Sequence, residues 1–133
     1  MKFTKLLASA VMVVSFTACE DVFEEGSLQP DGSKPALTIR NPTKNQVLAK
    51  SSGLRVKLTA SDKDKVKELH VRVRAVNGDA DYINFTTLPD KKILEFDTLL
   101  SANELPQGNY TLTINATDYR TNVSFGEVLF SVK

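Results

Sequence analysis

Four side chains that end two stretches of alternating residues, Asp62, Asp64, Asp118 and Asn122, carry the oxygen chemistry of this chain. With Asp90 in an intervening turn they could converge as the start of a Ca²⁺ site, which needs six to eight oxygen ligands. The competing reading is structural, because Asp and Asn are also the residues with which turns bond their own backbone. Lys63, Lys65 and Lys91 stand among them with the wrong sign for a cation site. Nothing else supplies a reaction. One cysteine and one histidine exclude zinc on ligand count, and there is no glycine-rich phosphate loop and no nucleophile paired with a base. An Asp62 and Asp118 pair could in principle do acid and base work, but no set of substrate-binding residues accompanies it. The sequence therefore reads as a non-enzyme with no required cofactor, calcium being the one candidate.

The elements that would hold these groups are short strands. Leu54, Val56, Leu58 and Ala60 alternate with Arg55, Lys57 and Thr59, and Leu69, Val71, Val73 and Ala75 alternate with His70, Arg72 and Arg74. Tyr110, Leu112, Ile114 and Ala116 alternate with threonines and an asparagine. Such period-2 patterns put one face in a core and one in water. Shorter runs at Leu37 and Ile39, Ile83 and Phe85, Leu94 and Phe96, and Val128 to Val132 complete seven predicted strands separated by turn clusters. Phe125 falls out of phase with the last, so Gly126 is expected to carry a β-bulge. Only Ser101 to Leu105 offers a helical turn. The class is all-β, and seven antiparallel strands in about a hundred residues fit an immunoglobulin-like Greek-key sandwich over residues 35–133. Within it, Leu105-Pro106-Gln107-Gly108-Asn109-Tyr110 resembles the corner entering strand F of fibronectin type III and bacterial Ig-like domains. That resemblance implies a structural corner role for Tyr110.

Residues 1–18 read as a signal segment. Lys2 and Lys5 precede an apolar run, Leu6 to Phe16, which is shorter than the roughly twenty residues a membrane helix needs. Phe16-Thr17-Ala18-Cys19 resembles the lipobox of bacterial lipoproteins, which implies cleavage before Cys19 and its acylation; Phe16 stands where that pattern prefers Leu. The alternative for Cys19 is a free thiol, since no second cysteine offers a disulfide. Several acyl chains at about 0.8 kcal/mol per buried methylene would anchor the protein stably in the outer membrane. Glu20, Asp21, Glu24 and Glu25 follow, and this CEDVFEE run resembles the surface-export signal of Bacteroidota-type lipoproteins. It implies a cell-surface location, the alternatives being a plain solvated linker and a periplasm-facing domain. Residues 19–34 form a lipidated acidic linker, expected to be a flexible spacer reaching about 20 Å.

The remaining signals concern partners. Without Lys2 and Lys5 the chain has fifteen basic and sixteen acidic residues, no footprint for nucleic acid. Asp97-Thr98-Leu99 matches a short O-glycosylation acceptor of Bacteroidota-type exported proteins, with Thr98 the modified residue. The outward row His70, Arg72 and Arg74 could dock a partner, though a solvated sheet face explains it as well. With no tryptophan and only Tyr82 and Tyr119 expected at the surface, a sugar-stacking platform is disfavoured. Two functions stand: a lipid-anchored interaction or accessory module with a protein partner, in adhesion or envelope assembly, or a lipoprotein capturing glycans or other soluble ligands for nutrient uptake.

Overall fold

The computed structural model describes residues 30–133, so the expected signal segment at 1–18, Cys19 and the acidic run lie outside the described residues. The fold is all-β, with seven strands in one hydrogen-bonded network: β1 (Ala36–Asn41), β2 (Gln46–Leu48), β3 (Leu54–Ala75), β4 (Asp81–Thr87), β5 (Lys91–Leu100), β6 (Gly108–Asp118) and β7 (Val123–Val132). Among the described residues there is no α-helix, only a 3-10 turn at Lys50–Ser52. Ser101 to Leu105 is a turn, closed by the Leu105 N–H on the Ala102 carbonyl at 3.1 Å.

The sheet is organised by β3, whose halves serve different neighbours. Its first half pairs antiparallel with β1 and β5; its second half pairs with β4 and β6. From β6 the order continues to β7 and then β2, which joins β7 in parallel. The sheet curls, because Leu37 and Ile39 of β1 lie against Gly126 of β7 although β3 and β6 separate those strands in the pairing order.

Alternation gives the core. Leu54, Val56, Leu58 and Ala60 join Leu69, Val71 and Val73, Leu112, Ile114 and Ala116, and Phe130 and Val132 in one buried cluster. Fully burying a side chain of this kind stabilises by about 1.5–3 kcal/mol, so the inward rows dictate register.

Three local expectations are corrected. The charged SDKDK stretch does not separate two strands; Leu54–Ala75 is one continuous strand that bends, with Lys65 at φ 70° and the β5 pairing broken between Ser61 and Val66. The Asp62 carboxylate accepts the Asp64 N–H at 2.7 Å, so this polar run satisfies its own backbone while turning the chain from one set of neighbours to the other. The loop after β1 contains β2, which the pattern did not reveal. Gly126 carries no bulge, since β7 pairs one-to-one with β6 from Val123↔Thr117 to Val132↔Gly108. A Cβ at Gly126 would come within 2.8 Å of Ile39 Cδ1 and 3.1 Å of Leu37 Cδ2. The glycine is there for close packing, and Phe125 points outward, 64% exposed.

Candidate functional site

Asp62, Asp64, Asp118 and Asn122 do come together, at the pole where the chain enters β1. Asp62 and Asp64 occupy the bend of β3, Asp118 ends β6, and Asn122 closes the turn into β7. Sequence reasoning missed Asp31. Carboxylate oxygens of Asp31, Asp64 and Asp118 lie within 4.8 Å of one another. Asp90 sits apart in the β4–β5 turn, accepting from the Tyr119 hydroxyl at 2.8 Å and facing Lys65 at 3.6 Å.

The cluster is organised around Asp118, which is fully buried. Its Oδ1 accepts the backbone N–H groups of Arg120 at 2.8 Å and Asn122 at 2.9 Å, and its Oδ2 accepts the Asn122 side-chain amide at 3.0 Å. Such carboxylate-to-amide bonds are among the stronger ones, and they fix the β6–β7 turn. Asn122 then reaches the incoming chain: its Nδ2 donates to Asp31 at 2.7 Å and its Oδ1 accepts the Gly32 N–H at 3.2 Å. Two cations close the group. Lys63 Nζ stands 2.9 Å from Asp31 and 4.0 Å from Asp64, and Arg120 Nε 3.0 Å from Asp64 and 3.8 Å from Asp31.

The electrostatics follow. The Lys63 ammonium, then the Ser33 N–H and, less strongly, the Asn122 amide hold the Asp31 carboxyl down at about 2, against an opposing push from desolvation. Asp62 moves the other way: burial pushes its carboxyl up, and the charges of Asp118, Asp64 and Asp31 add to that, while the bond from the Asp64 N–H opposes it. Chemically this is a set of hard oxygen ligands in which Lys63 and Arg120 already supply positive charge, so a Ca²⁺ would have to displace both to gather six or more oxygens. As built, it is a polar clamp that ties residues 31–33 to the bend of β3 and the β6–β7 turn. The free-spacer expectation for residues 19–34 is thereby corrected at its C-terminal end; the rest of that segment lies outside the described residues.

The other singled-out residues are dispersed. Thr98 lies on β5 in the half-buried row shared with Phe96 and Leu100, and its neighbour Asp97 forms a two-pronged pair with Arg55 at 2.7 and 2.9 Å. Tyr110 is buried, donates its hydroxyl to the Pro106 carbonyl, stacks on Phe130 at 5.7 Å and meets the edge of Tyr82 at 5.6 Å. The outward row of β3 is bonded across strands. His70 Nε2 meets Asn84 Oδ1 at 2.6 Å, Asn84 donates to Asp81 at 3.0 Å, and Arg74 pairs with Asp81 at 2.9 Å. Toward the opposite pole, Asn45, Val76, Asn109, Tyr110 and Leu129 line a shallow cleft of ≈ 340 Å³. No helix among the described residues is long and apolar enough to cross a membrane.

No family model and no curated protein matches the chain. Among solved structures it is similar to wild-type OgpA from Akkermansia muciniphila in two crystal forms. One has a TM-score of 0.58 at 18% identity over 79% of this chain, the other 0.56 at 19% over 77%. In both, the match spans 30% of the OgpA chain. The similarity concerns fold alone.

Proposed function

We propose that the protein is a lipid-anchored, immunoglobulin-like module of the outer membrane that serves a noncatalytic interaction or accessory role in adhesion or envelope assembly. The fold reading behind it is a Greek-key sandwich. β1, the first half of β3 and β5 make one layer, the second half of β3 with β4, β6, β7 and β2 the other, and Tyr110 pins the crossing between them. The observation that carries the functional reading is the clamp at Asp31. It fixes residues 31–33 to one pole, so a chain leading back to an acylated Cys19 leaves the domain from that pole and the opposite pole faces outward. The acidic run after Cys19 favours the cell surface over the periplasm-facing alternative.

The noncatalytic part is supported by how the titratable groups are used. His70 is bonded to Asn84, and the carboxylates of the cluster are engaged by backbone amides, Lys63 and Arg120. Capture of a glycan or other soluble ligand has the ≈ 340 Å³ cleft in its favour, near the pole that would face outward. Its two rings, Tyr110 and Phe130, are both buried, so it offers no exposed ring on which a sugar would stack. Intact-mass spectrometry of the detergent-extracted protein tests the anchor. The expected species starts at Cys19 and carries the added mass of two or more acyl chains; a chain with a free Cys19 thiol refutes it.

A further inference from the structure

One cluster of exposed apolar side chains lies along β7. Val123, Phe125 and Leu129 are 44%, 64% and 42% exposed, and Val47 of β2, beside Ser131, is 57% exposed. They share the outer face, because their inward neighbours Val128, Phe130 and Val132 alternate with them. β2 covers β7 only at Phe130–Val132. The Leu129 carbonyl accepts the Asn45 N–H at 2.7 Å on the side away from β6. Backbone groups alternate sides along a strand, so Val123, Phe125 and Glu127 turn their N–H and C=O groups to that same, open side. The edge is poorly guarded: β7 carries one charge, Glu127, whereas the equally long edge strand β5 carries Lys91, Lys92, Glu95 and Asp97. Charged side chains are the ordinary defence of an open edge against pairing with another chain.

We propose that this edge is a homophilic docking strand, on which β7 of a second copy adds antiparallel. The register follows from these side chains and backbone groups. Outward-facing residues must oppose one another, and a two-fold axis through Phe125 sets Phe125 against Phe125 and Val123 against Glu127 of the second copy. Three opposed pairs then exchange six backbone hydrogen bonds. The lone charge faces an apolar residue instead of its own counterpart, so the pairing carries no like-charge penalty. An edge pairing this short falls in the small, transient class of interfaces, so the dimer is weak in solution and gains strength from many copies on a surface.

Orientation supplies a function. Ser124 of β7 bonds the Pro35 carbonyl and Asn122 bonds Asp31, so β7 begins at the clamped pole. Antiparallel pairing about Phe125 points the two clamped poles in opposite directions but leaves them side by side at the middle of the dimer with the far poles outermost, so between two facing membranes each tether must run back past its partner by about five strand residues, roughly 17 Å. This trans arrangement rests on the tethered-module reading; the pairing itself does not.

The test uses the chain from residue 19, which retains every residue of the described fold, with the Cys19 thiol alkylated. Sedimentation equilibrium is run from about 10 μM to 1 mM, the range suited to a small interface. Val123→Lys faces Glu127 of the partner twice and is expected to tighten the dimer about fivefold, and Val123→Glu to weaken it at least as much; unchanged thermal unfolding of both variants shows that the fold is intact. A chain monomeric throughout overturns the second copy as occupant and leaves a foreign strand as the partner of this edge. A dimer indifferent to both substitutions overturns the register. The trans geometry is read by coupling the unalkylated chain through Cys19 to phosphatidylcholine vesicles bearing a maleimide lipid. Clustering that Val123→Glu abolishes is expected, and a solution dimer without clustering overturns the trans arrangement. Neither readout depends on acylation in the cell.

Discussion

Replacing Asp118 tests the clamp at its centre. The carboxylate is fully buried and accepts three hydrogen bonds, at 2.8, 2.9 and 3.0 Å. Asp118→Ala leaves the N–H of Asn122, itself buried, without a partner; the half-buried Arg120 N–H turns to water, and the Asn122 amide keeps Asp31. A bond to a charged group contributes about 1.5–3 kcal/mol and an orphaned buried donor costs about 1–3 kcal/mol. These describe the same event and do not add, and removing one of four neighbouring carboxylates returns part of the loss. The expected destabilisation is about 3 kcal/mol, which in a domain of this size lowers Tm by roughly 12–24 °C. Asp118→Asn keeps one acceptor oxygen for the turn but sets an amide against the Asn122 Nδ2, so it should cost about 1 kcal/mol. Urea unfolding of both variants at pH 7, followed by near-ultraviolet circular dichroism, gives the two differences. A change under about 0.5 kcal/mol for Asp118→Ala, the size of an ordinary surface substitution, or an asparagine variant less stable than the alanine, would rule out a clamp centred on the Asp118 carboxylate.

Four further outcomes follow from the same geometry. Asp62 has its folded-state pKa raised, chiefly by burial, so its charge opposes folding once it ionises and that cost fades as the pH falls toward the ordinary carboxylate value; Asp62→Asn, which keeps the acceptor for the Asp64 N–H, should therefore stabilise at pH 7 and be neutral at pH 3, and a loss of stability at pH 7 would contradict this. Asp31 is depressed to about 2 from an ordinary 3.8, so its contribution is complete above the unfolded value and is lost as the pH falls through about 2; the Asn122 side-chain amide resonances should hold their shifts at pH 4 and move below pH 3, and in Lys63→Ala they should begin to move at higher pH. Gly126→Ala pushes against Ile39 and Leu37 side-chain ends and should cost about 1 kcal/mol by overpacking, whereas a true bulge glycine would show altered β6–β7 contacts in amide exchange. Tyr110→Phe removes the bond to the Pro106 carbonyl, whose exposed position lets water replace it, and should lower stability by about 1 kcal/mol with the fold retained.

The strands were legible wherever one face is buried over several residues, because burial imposes the period-2 pattern: the rows of Leu54–Ala60, Leu69–Ala75 and Tyr110–Ala116 could be read residue by residue. β2 was not, since three residues, Gln46–Leu48, cannot establish a period. The bend in β3 looked like a loop because Ser, Asp and Lys are loop residues; only the pairing partners on its two halves show that the backbone stays extended through them. Gly126 and Phe125 were misread together. An apolar residue out of phase suggested a register shift, whereas Phe125 lies on the outer face and the glycine answers to Leu37 and Ile39, some ninety residues away in sequence. The cluster of Asp62, Asp64, Asp118 and Asn122 was legible because both pairs end alternating rows that must share a pole. Asp31 was not, since its partners Lys63 and Asn122 become neighbours only after the chain folds back.

In the proposed arrangement the domain is tethered through Cys19 with its clamped pole toward the membrane and the rest of it outside. Protease accessibility on intact cells producing the native chain tests this directly, with permeabilised cells and a Cys19→Ala variant as controls. Digestion of the wild type on intact cells and loss of the Cys19→Ala variant from the membrane fraction are expected. Protection of the wild type until the cells are permeabilised, or a Cys19→Ala variant that stays with the membrane, would contradict this arrangement.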